Sequence, residues 1–521
     1  MSREDLVEVQ EQEDIEIEGP EGTTINENID AIEDEEGNLL AGEEAPTAPE
    51  DNFYANLAEF LDDSQLKSLA SKLLADFKDD SLARKSYIET YTKGLDLLGF
   101  KYQEVTRPFI GASGVTHPLL AEAATQFQAQ AFKELLPSDG PVRCQVVGAE
   151  SKETIQQANR VKDYMNYQIT DVMEEYTPEM DQMLFFLPLA GSTFKKVYYD
   201  PAAQRCKATF IHAEDLVVPY NASDLYEAER ISEVQRVTKN TVAKRIASGF
   251  YRDVELPEPF FNEDRAQKKY QELEGVTPQK YQDLYNFVEM HVDLDLPGYE
   301  SDDGVKVPYI VTLDRDSMTI MSIYRNYKPD DPSRKRIPYF VHYKFLPGLG
   351  FYGFGLIHMI GGLSKAATGA LRQLLDAGTL ANLPAGFKSR GLRVRDDAEP
   401  LQPGEFRDID APGGNIRDQF QLLPFKEPSQ TLFSLLGFCV DAGRRFAAIA
   451  DLQVGDGNQQ AAVGTTVALL ERGSRVMSAI HKRAYYSMKE EFRIMSRIFS
   501  EYLPPEYPYN VVGGNRLIKM S

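Results

Sequence analysis

The sequence predicts an α+β protein, and three observations carry that assignment. Across residues 354–503, apolar side chains recur every three to four positions in long runs, the period of helices that bury one face. Residues 208–345 instead hold short runs rich in β-branched and aromatic residues, at 210–218, 287–294, 309–313, 320–325 and 338–345, which read as strands. The length, 521 residues at 42% hydrophobic, exceeds what one ordinary core serves, so more than one domain is expected.

Residues 1–50 hold 18 Asp and Glu against one Arg, a net of −17, so only −8 of the chain's −25 falls on the rest. So acidic a segment has too little apolar surface to order itself, and residues 1–52 are read as a disordered arm. Its role is either solubility or recruitment of a basic partner. The acidic balance argues against a protein that grips DNA tightly and suits one that DNA slides past, since every phosphate contact would have to be broken at each step. Three cysteines, Cys144, Cys206 and Cys439, are far apart and lack metal-ligand spacing, which predicts free thiols in a reducing compartment.

From Phe53 to Gly99 the apolar set Leu57, Phe60, Leu61, Leu66, Leu69, Leu73, Leu74 and Phe77 is helical, with Asp79-Asp80-Ser81 as a cap before a second helix at 82–98. A third helix is expected over 118–135, closed by Pro137, and a strand at Val142–Val147. Residues 154–187 read as two helices separated near Thr177-Pro178, and 193–199 as a strand. His117 is either a structural histidine or the centre of a catalytic site, although no nucleophile or carboxylate pair is tied to it by spacing. Within the β region, 242–276 reads as a helical insertion broken at Pro257 and Pro259. The acidic group Asp293, Asp295, Glu300, Asp302 and Asp303 is either a solvated turn or a cation site, and lacks the order of a calcium loop.

Residues 354–380 form a helix about 40 Å long at ~1.5 Å per residue, strewn with Gly361, Gly362, Ala366, Ala367, Gly369, Ala370 and Gly378 so that another helix can approach closely. Residues 430–452 supply the partner. Lys365, Arg372 and Asp376 in the first, and Asp441, Arg444 and Arg445 in the second, keep both out of a bilayer. Between them, Lys388, Arg390, Arg393 and Arg395 accompany two or three short strands, either a soluble edge or a docking surface. The loop 455–466 is rich in Gly and Gln and is not a phosphate-binding P-loop, because no Gly-Lys-Ser/Thr follows.

In the last helix, Leu470, Gly473, Met477, Ile480, Ala484, Met488, Met495, Ile498 and Tyr502 share one face, while Arg475, Lys482, Lys489, Arg493 and Arg497 gather opposite. That cationic stripe is either a solvated face or a surface that meets phosphate or an acidic neighbouring subunit. No catalytic motif, cofactor motif or metal-ligand cluster appears in the sequence.

In its order of helix, small strand-bearing insertion, helix, loop and long helix, the chain resembles the portal proteins of tailed bacteriophages, particularly those of short-tailed phages. The run from Tyr343 to Leu356 (YKFLPGLGFYGFGL) is similar to the segment leading into the portal stem, and the run from Pro108 to Leu120 (PFIGASGVTHPLL) is also similar to family sequence. The resemblance spans residue 53 to the end. It implies a portal fold with a mixed wing at 53–350, stem helices at 351–382 and 430–453, and a clip at 383–429. A tunnel loop follows at 454–466, a tunnel helix at 467–503, and at 504–521 the start of a returning wing segment, with no crown. It further implies a homo-oligomeric ring of twelve subunits at one capsid vertex of the virion, assembled in the host cytoplasm. Double-stranded DNA would pass through the channel in packaging and ejection. Asp456, Gly457, Asn458, Gln459 and Gln460 would touch it without reading sequence, and Lys388, Arg390, Arg393 and Arg395 would lie on the docking surface. The implied partners are the terminase large subunit, the major capsid protein or scaffold, and a tail adaptor. ATP chemistry would belong to a separate motor, so neither enzymatic activity nor a cofactor is expected. The alternatives are another head-to-tail structural protein of the virion, or a soluble enzyme with its site near His117.

Overall fold

The computed structural model describes residues 52–519 except 102–104, 106–108, 110, 147, 150, 202, 260–264, 277–283, 300–303, 383–385, 389–392, 395–408, 411–419, 423–426, 447–462, 505 and 512–513. Side chains within 383–426, 446–478 and 505–519 are not described. The chain divides into units Met1–Thr47 and Ala48–Ser521, and all described residues belong to the second. The expected acidic arm lies outside them but for Asn52.

The fold is α+β. Helices α1 (Asp63–Ala83), α2 (Lys85–Gly94), α3 (Leu119–Leu135), α4 (Lys152–Tyr167) and α5 (Tyr176–Ala190) lead into strands β1 (Ser192–Asp200), β2 (Arg205–Ile211), β3 (Leu216–Val217) and β4 (Arg230–Thr238). Helices α6 (Lys239–Ala247) and α7 (Arg265–Glu274) form the helical insertion. Strands β5 (Leu284–Leu294), β6 (Val307–Asp314), β7 (Ile320–Arg325) and β8 (Phe340–Lys344) follow. Then come α8 (Leu356–Asn382), the short strands β9 (Gly386–Lys388), β10 (Arg393–Val394), β11 (Ile409–Asp410) and β12 (Phe420–Leu422), and α9 (Gln430–Phe446). The 40-residue α10 (Val463–Tyr502) and the hairpin β13 (Glu506–Val511) and β14 (Gly514–Lys519) complete the described chain.

Two antiparallel sheets organise the part before α8. One runs β3-β4-β5-β6-β7, the other β2-β1-β8. Helix α1 lays Leu66, Ala70, Leu73 and Phe77 into the same core as Val288, Val311 and Ile323 of the five-stranded sheet. The main core joins Leu120 and Phe127 of α3, Met180 and Leu184 of α5, Val197 of β1, Ile357 and Ile360 of α8, and Met488 and Met495 of α10. Apolar burial of this extent, at about 25 cal/mol per Å2, is what offsets the entropy of ordering so many helices.

Three expectations need correction, each for a local reason. Helix α1 runs through Asp79-Asp80-Ser81 and ends at Ala83, because Asp80 does not cap a helix but accepts from Arg230 at 3.0 Å. The break falls at Arg84, whose guanidinium donates to the carbonyls of Ala213 (2.6 Å) and Leu216 (2.7 Å). Residues 142–146 are not a strand: the Asn166 side chain takes both the Val142 N–H (2.9 Å) and its carbonyl (3.2 Å), standing in for a neighbouring strand. Helices α4 and α5 part at a π-helical turn, Gln168–Val172, while Pro178 sits in the first turn of α5, where its missing N–H costs nothing.

Strand β4 has no counterpart in the expected set, since its charges disguise its alternation. Glu233 faces Lys196 at 2.6 Å, and Arg236 pairs with Asp215 at 2.8 Å.

One junction admits only glycine. Gly191 ends α5 with φ +87°, a left-handed conformation that other residues resist, and its carbonyl accepts from Phe345 N–H at 3.0 Å. A Cβ here would strike the backbone of Phe354 and Gly355, and one on Gly355 would strike the Leu189 carbonyl. Gly191→Ala should therefore destabilise the fold by at least ~2 kcal/mol, read as a lowered denaturation midpoint; an unchanged midpoint would show that the junction has slack.

Candidate functional site

The first candidate surface is the helix pair α8 and α9. Its root is buried and its far end is not. In α8, Leu356, Ile357, Ile360, Gly361, Ser364, Ala367, Thr368 and Ala370 are buried against α2, α3 and α5, but no residue from Leu371 to Asn382 is buried. Of the α9 residues whose side chains are described, only Cys439 and Gly443 are buried. Phe433, Leu435 and Phe438 are 61%, 50% and 67% exposed, so three large apolar side chains spread around the outer side of α9 have no cover within the subunit.

The charges that bar this pair from a bilayer hold it in place. Asp376 Oδ1 accepts from Ser113 N–H at 2.7 Å, Arg372 Nε donates to the Val115 carbonyl at 2.8 Å, and Thr368 Oγ1 accepts from His117 N–H at 3.1 Å. The 113–117 loop is thereby strapped along α8. On α9, Gly443 packs on Leu119 with no room for a Cβ, and Arg444 pairs with Glu122 at 3.3 Å.

The second candidate is α10. Ile480, Ala484, Met488, Met495 and Ile498 are buried as their period predicts, while Tyr502 is 56% exposed and stacks on Tyr199 with centroids 4.7 Å apart. Its anchor is a salt bridge. Lys195 Nζ lies 2.9 Å from Glu491 Oε1, both side chains fully buried, and sits 3.9 Å from the Tyr176 ring centroid. The Tyr343 hydroxyl donates to the other Glu491 oxygen. Burial, reinforced by the Glu491 charge, pushes the Tyr176 and Tyr343 hydroxyls well above the usual tyrosine range, so both stay protonated. Further along α10, His481 meets Glu134, Arg483 donates to the Phe345 carbonyl (2.8 Å) and Ser487 to that of His342 (2.8 Å).

A companion network ties the two sheets. Lys196 on β1 reaches Glu233 at 2.6 Å and Glu289 at 2.7 Å, and His291 bonds Glu289 at 2.9 Å. Burial alone would raise Glu289, but Lys196 and His291 hold it far below the usual carboxylate range. Burial would likewise lower Lys196, yet its two carboxylates lift it above the ordinary lysine value. Neither network was found from the sequence. The signal was the Lys195-Lys196 doublet inside a strand, which forces one lysine inward whichever face is buried.

The cationic stripe divides. Lys482 and Lys489 are exposed, and Arg493 is exposed beside Glu490 at 3.0 Å. Arg497 turns inward, donating to the Pro338 carbonyl at 3.0 Å and lying over the Tyr339 ring at 5.7 Å. The Arg475 side chain lies outside the described residues, as do Asp456, Gly457, Asn458, Gln459 and Gln460, Arg390 and Arg395. Lys388 and Arg393 fall on β9 and β10, but their side chains are not described. Lys489 and Arg493 border an open groove of about 560 Å3 between α10 and the 137–144 segment, floored by Val161, Met165, Met488 and Phe492.

The residues considered for chemistry are dispersed. Among the described residues His117 Nδ1 is buried without a hydrogen bond, and burial and then Arg444 lower its affinity for a proton. Its charged neighbours Glu122 and Arg444 are spent on each other. Asp293 pairs with Arg336 at 2.8 Å, and 300–303 lie outside the described residues. Among the described residues no group of His, Cys, Asp and Glu is placed to hold a metal ion, and no helix is long and apolar enough to cross a membrane. No family model matches the chain, and no curated protein matches it.

Near the root of α8, both carboxylate oxygens of Glu214 are buried without a hydrogen bond among the described residues. Burial, and then the charge of Asp215, push it up to about 7. A carboxyl raised in the fold favours folding fully below its unfolded value and loses that contribution as pH rises through the folded value. Glu214→Gln should therefore shrink the stability difference between pH 5 and pH 8 by about 2 kcal/mol, as measured by denaturant unfolding; an unaltered difference would mean that this carboxyl is solvated. Glu491→Gln, which leaves Lys195 without a counter-charge in the core, should cost ~3–5 kcal/mol, and Lys195→Met with Glu491→Leu far less. Chemical denaturation of the single and double variants checks this, and a single variant as mild as the double would sink it.

Proposed function

We propose that this chain is the subunit of a portal ring at one capsid vertex of a tailed phage, the channel through which double-stranded DNA is packaged and ejected. The observation that carries the reading is the α8–α9 pair. It is rooted in the subunit, has no fully buried residue from Leu371 to Asn382, and exposes Phe433, Leu435 and Phe438 to solvent in a single copy. A helix face of that kind is stable when sister copies cover it, and head-to-tail contacts repeated around an axis close into a ring.

Other features agree. The short antiparallel pairs β9–β12 and β10–β11 lie in the chain between the two helices, where the portal resemblance puts a clip that meets the terminase large subunit and a tail adaptor. The part before α8 corresponds to the wing, and α10 to the tunnel helix. Its anchorage through Lys195–Glu491 and Ser487 leaves Lys482 and Lys489 facing outward, toward an acidic sister surface or passing phosphate. The polar loop 456–460 would touch DNA without reading its sequence, and the major capsid protein or scaffold would hold the wing.

Native mass spectrometry of the purified chain, supported by averaged electron micrographs, tests the reading. The expected result is a closed ring near twelve times the 58.7 kDa chain mass. A monomer or dimer under every condition would reject it and favour the soluble-enzyme alternative.

A further inference from the structure

Within the helix pair, the two exposed faces differ in kind. Helix α9 projects Phe433, Leu435 and Phe438. Helix α8 offers recesses: Gly362 and Ala366 are exposed, and a Cβ added at Gly362 or Gly369 would meet nothing within 4 Å. The α8 face carries Lys365, and the α9 face carries Asp441 with Arg445, also exposed, one turn further on. Lys365 on α8 and Asp441 on α9 are both exposed, and neither has an ion pair among the described residues.

Their heights match. Gly378 lies against Pro428, where an added Cβ would be 3.9 Å from the ring. Lys365 is thirteen residues from Gly378, and Asp441 thirteen from Pro428, the last eleven of them in the antiparallel helix α9. At ~1.5 Å per residue, both sit about 20 Å from that contact. Phe438 is ten residues from Pro428, and Gly369 nine from Gly378, so bulk and recess are also level.

We infer that α9 of one subunit packs on α8 of the next, with Phe438 against the Ala366–Gly369 recess and Asp441 paired with Lys365. This rests on the ring reading above. In a closed ring each copy follows from its neighbour by rotation without rise. For a helix pair standing along the axis, a residue therefore meets the neighbouring residue at its own height. The occupant of the α9 face is thus a second copy of this chain, matched to it by the opposite charges of Asp441 and Lys365 at one height and by the level placing of Phe438 and the recess.

Disulfide trapping in a Cys144→Ser background tests the register. Lys365→Cys with Asp441→Cys, oxidised after assembly, should give a ladder of covalent oligomers on denaturing gels, rising to the full ring. Lys365→Cys with Phe433→Cys is offset by about 12 Å along the helices, beyond disulfide reach, and should give at least tenfold less. Charge reversal supplies a second readout: Lys365→Glu should lower the ring fraction in native mass spectra, and Asp441→Lys in the same chain should restore it. If the unsubstituted chain forms rings but the matched pair gives no ladder, or the offset pair gives an equal one, this register is wrong while the ring reading stands. If the unsubstituted chain forms no ring, both fall.

Discussion

Lys195 and Glu491 meet where no water reaches, and the arrangement of the molecule follows from their having to meet. A lone ammonium or carboxylate in that core would be intolerable, so β1 and α10, almost three hundred positions apart, must come together in one register. Tyr343 from β8 completes the carboxylate and Tyr176 from α5 shields the ammonium, so four elements are fixed relative to one another at a single point. Apolar packing alone would allow α10 to slide or roll by a turn. The ion pair selects one position.

Periodicity made much of this legible before the fold was known. Helices α3, α8, α9 and α10 and strands β5 to β8 stand where their apolar patterns put them, because each is amphipathic or strand-like on its own terms. What stayed hidden was every place where a polar side chain replaces a backbone partner. Asn166 imitates a strand for Val142, Arg84 stops a helix by reaching for the carbonyls beside β3, and the charges of β4 are answered by Lys196 and Asp215. Such contacts join residues tens to hundreds of positions apart, and no local window contains both halves. The candidate surfaces behave alike. The exposure of Phe433 and Phe438 depends on what α9 leaves uncovered after docking on α8 and α3, which only the folded chain reveals.

Glycine serves two opposite purposes in α8 and its approach. Gly355 permits contact so close that nothing larger fits, which seats the helix on the end of α5. Gly362 and Gly369 border empty space, where a larger residue would meet no obstacle inside the subunit. The first kind is explained by the subunit itself. The second leaves a shallow surface that only another body can use.

The junction at Gly191 also has a mechanical meaning. It touches the entry to α8 on one side and begins β1 on the other, and Lys195 follows four residues later, about 13 Å along an extended strand. A force on the far end of the helix pair thus has a short, stiff route through the strand to the buried ammonium and on to α10. The helix pair is thus linked to the longest helix of the molecule through the 353–355 segment, Gly191, β1 and the buried ion pair.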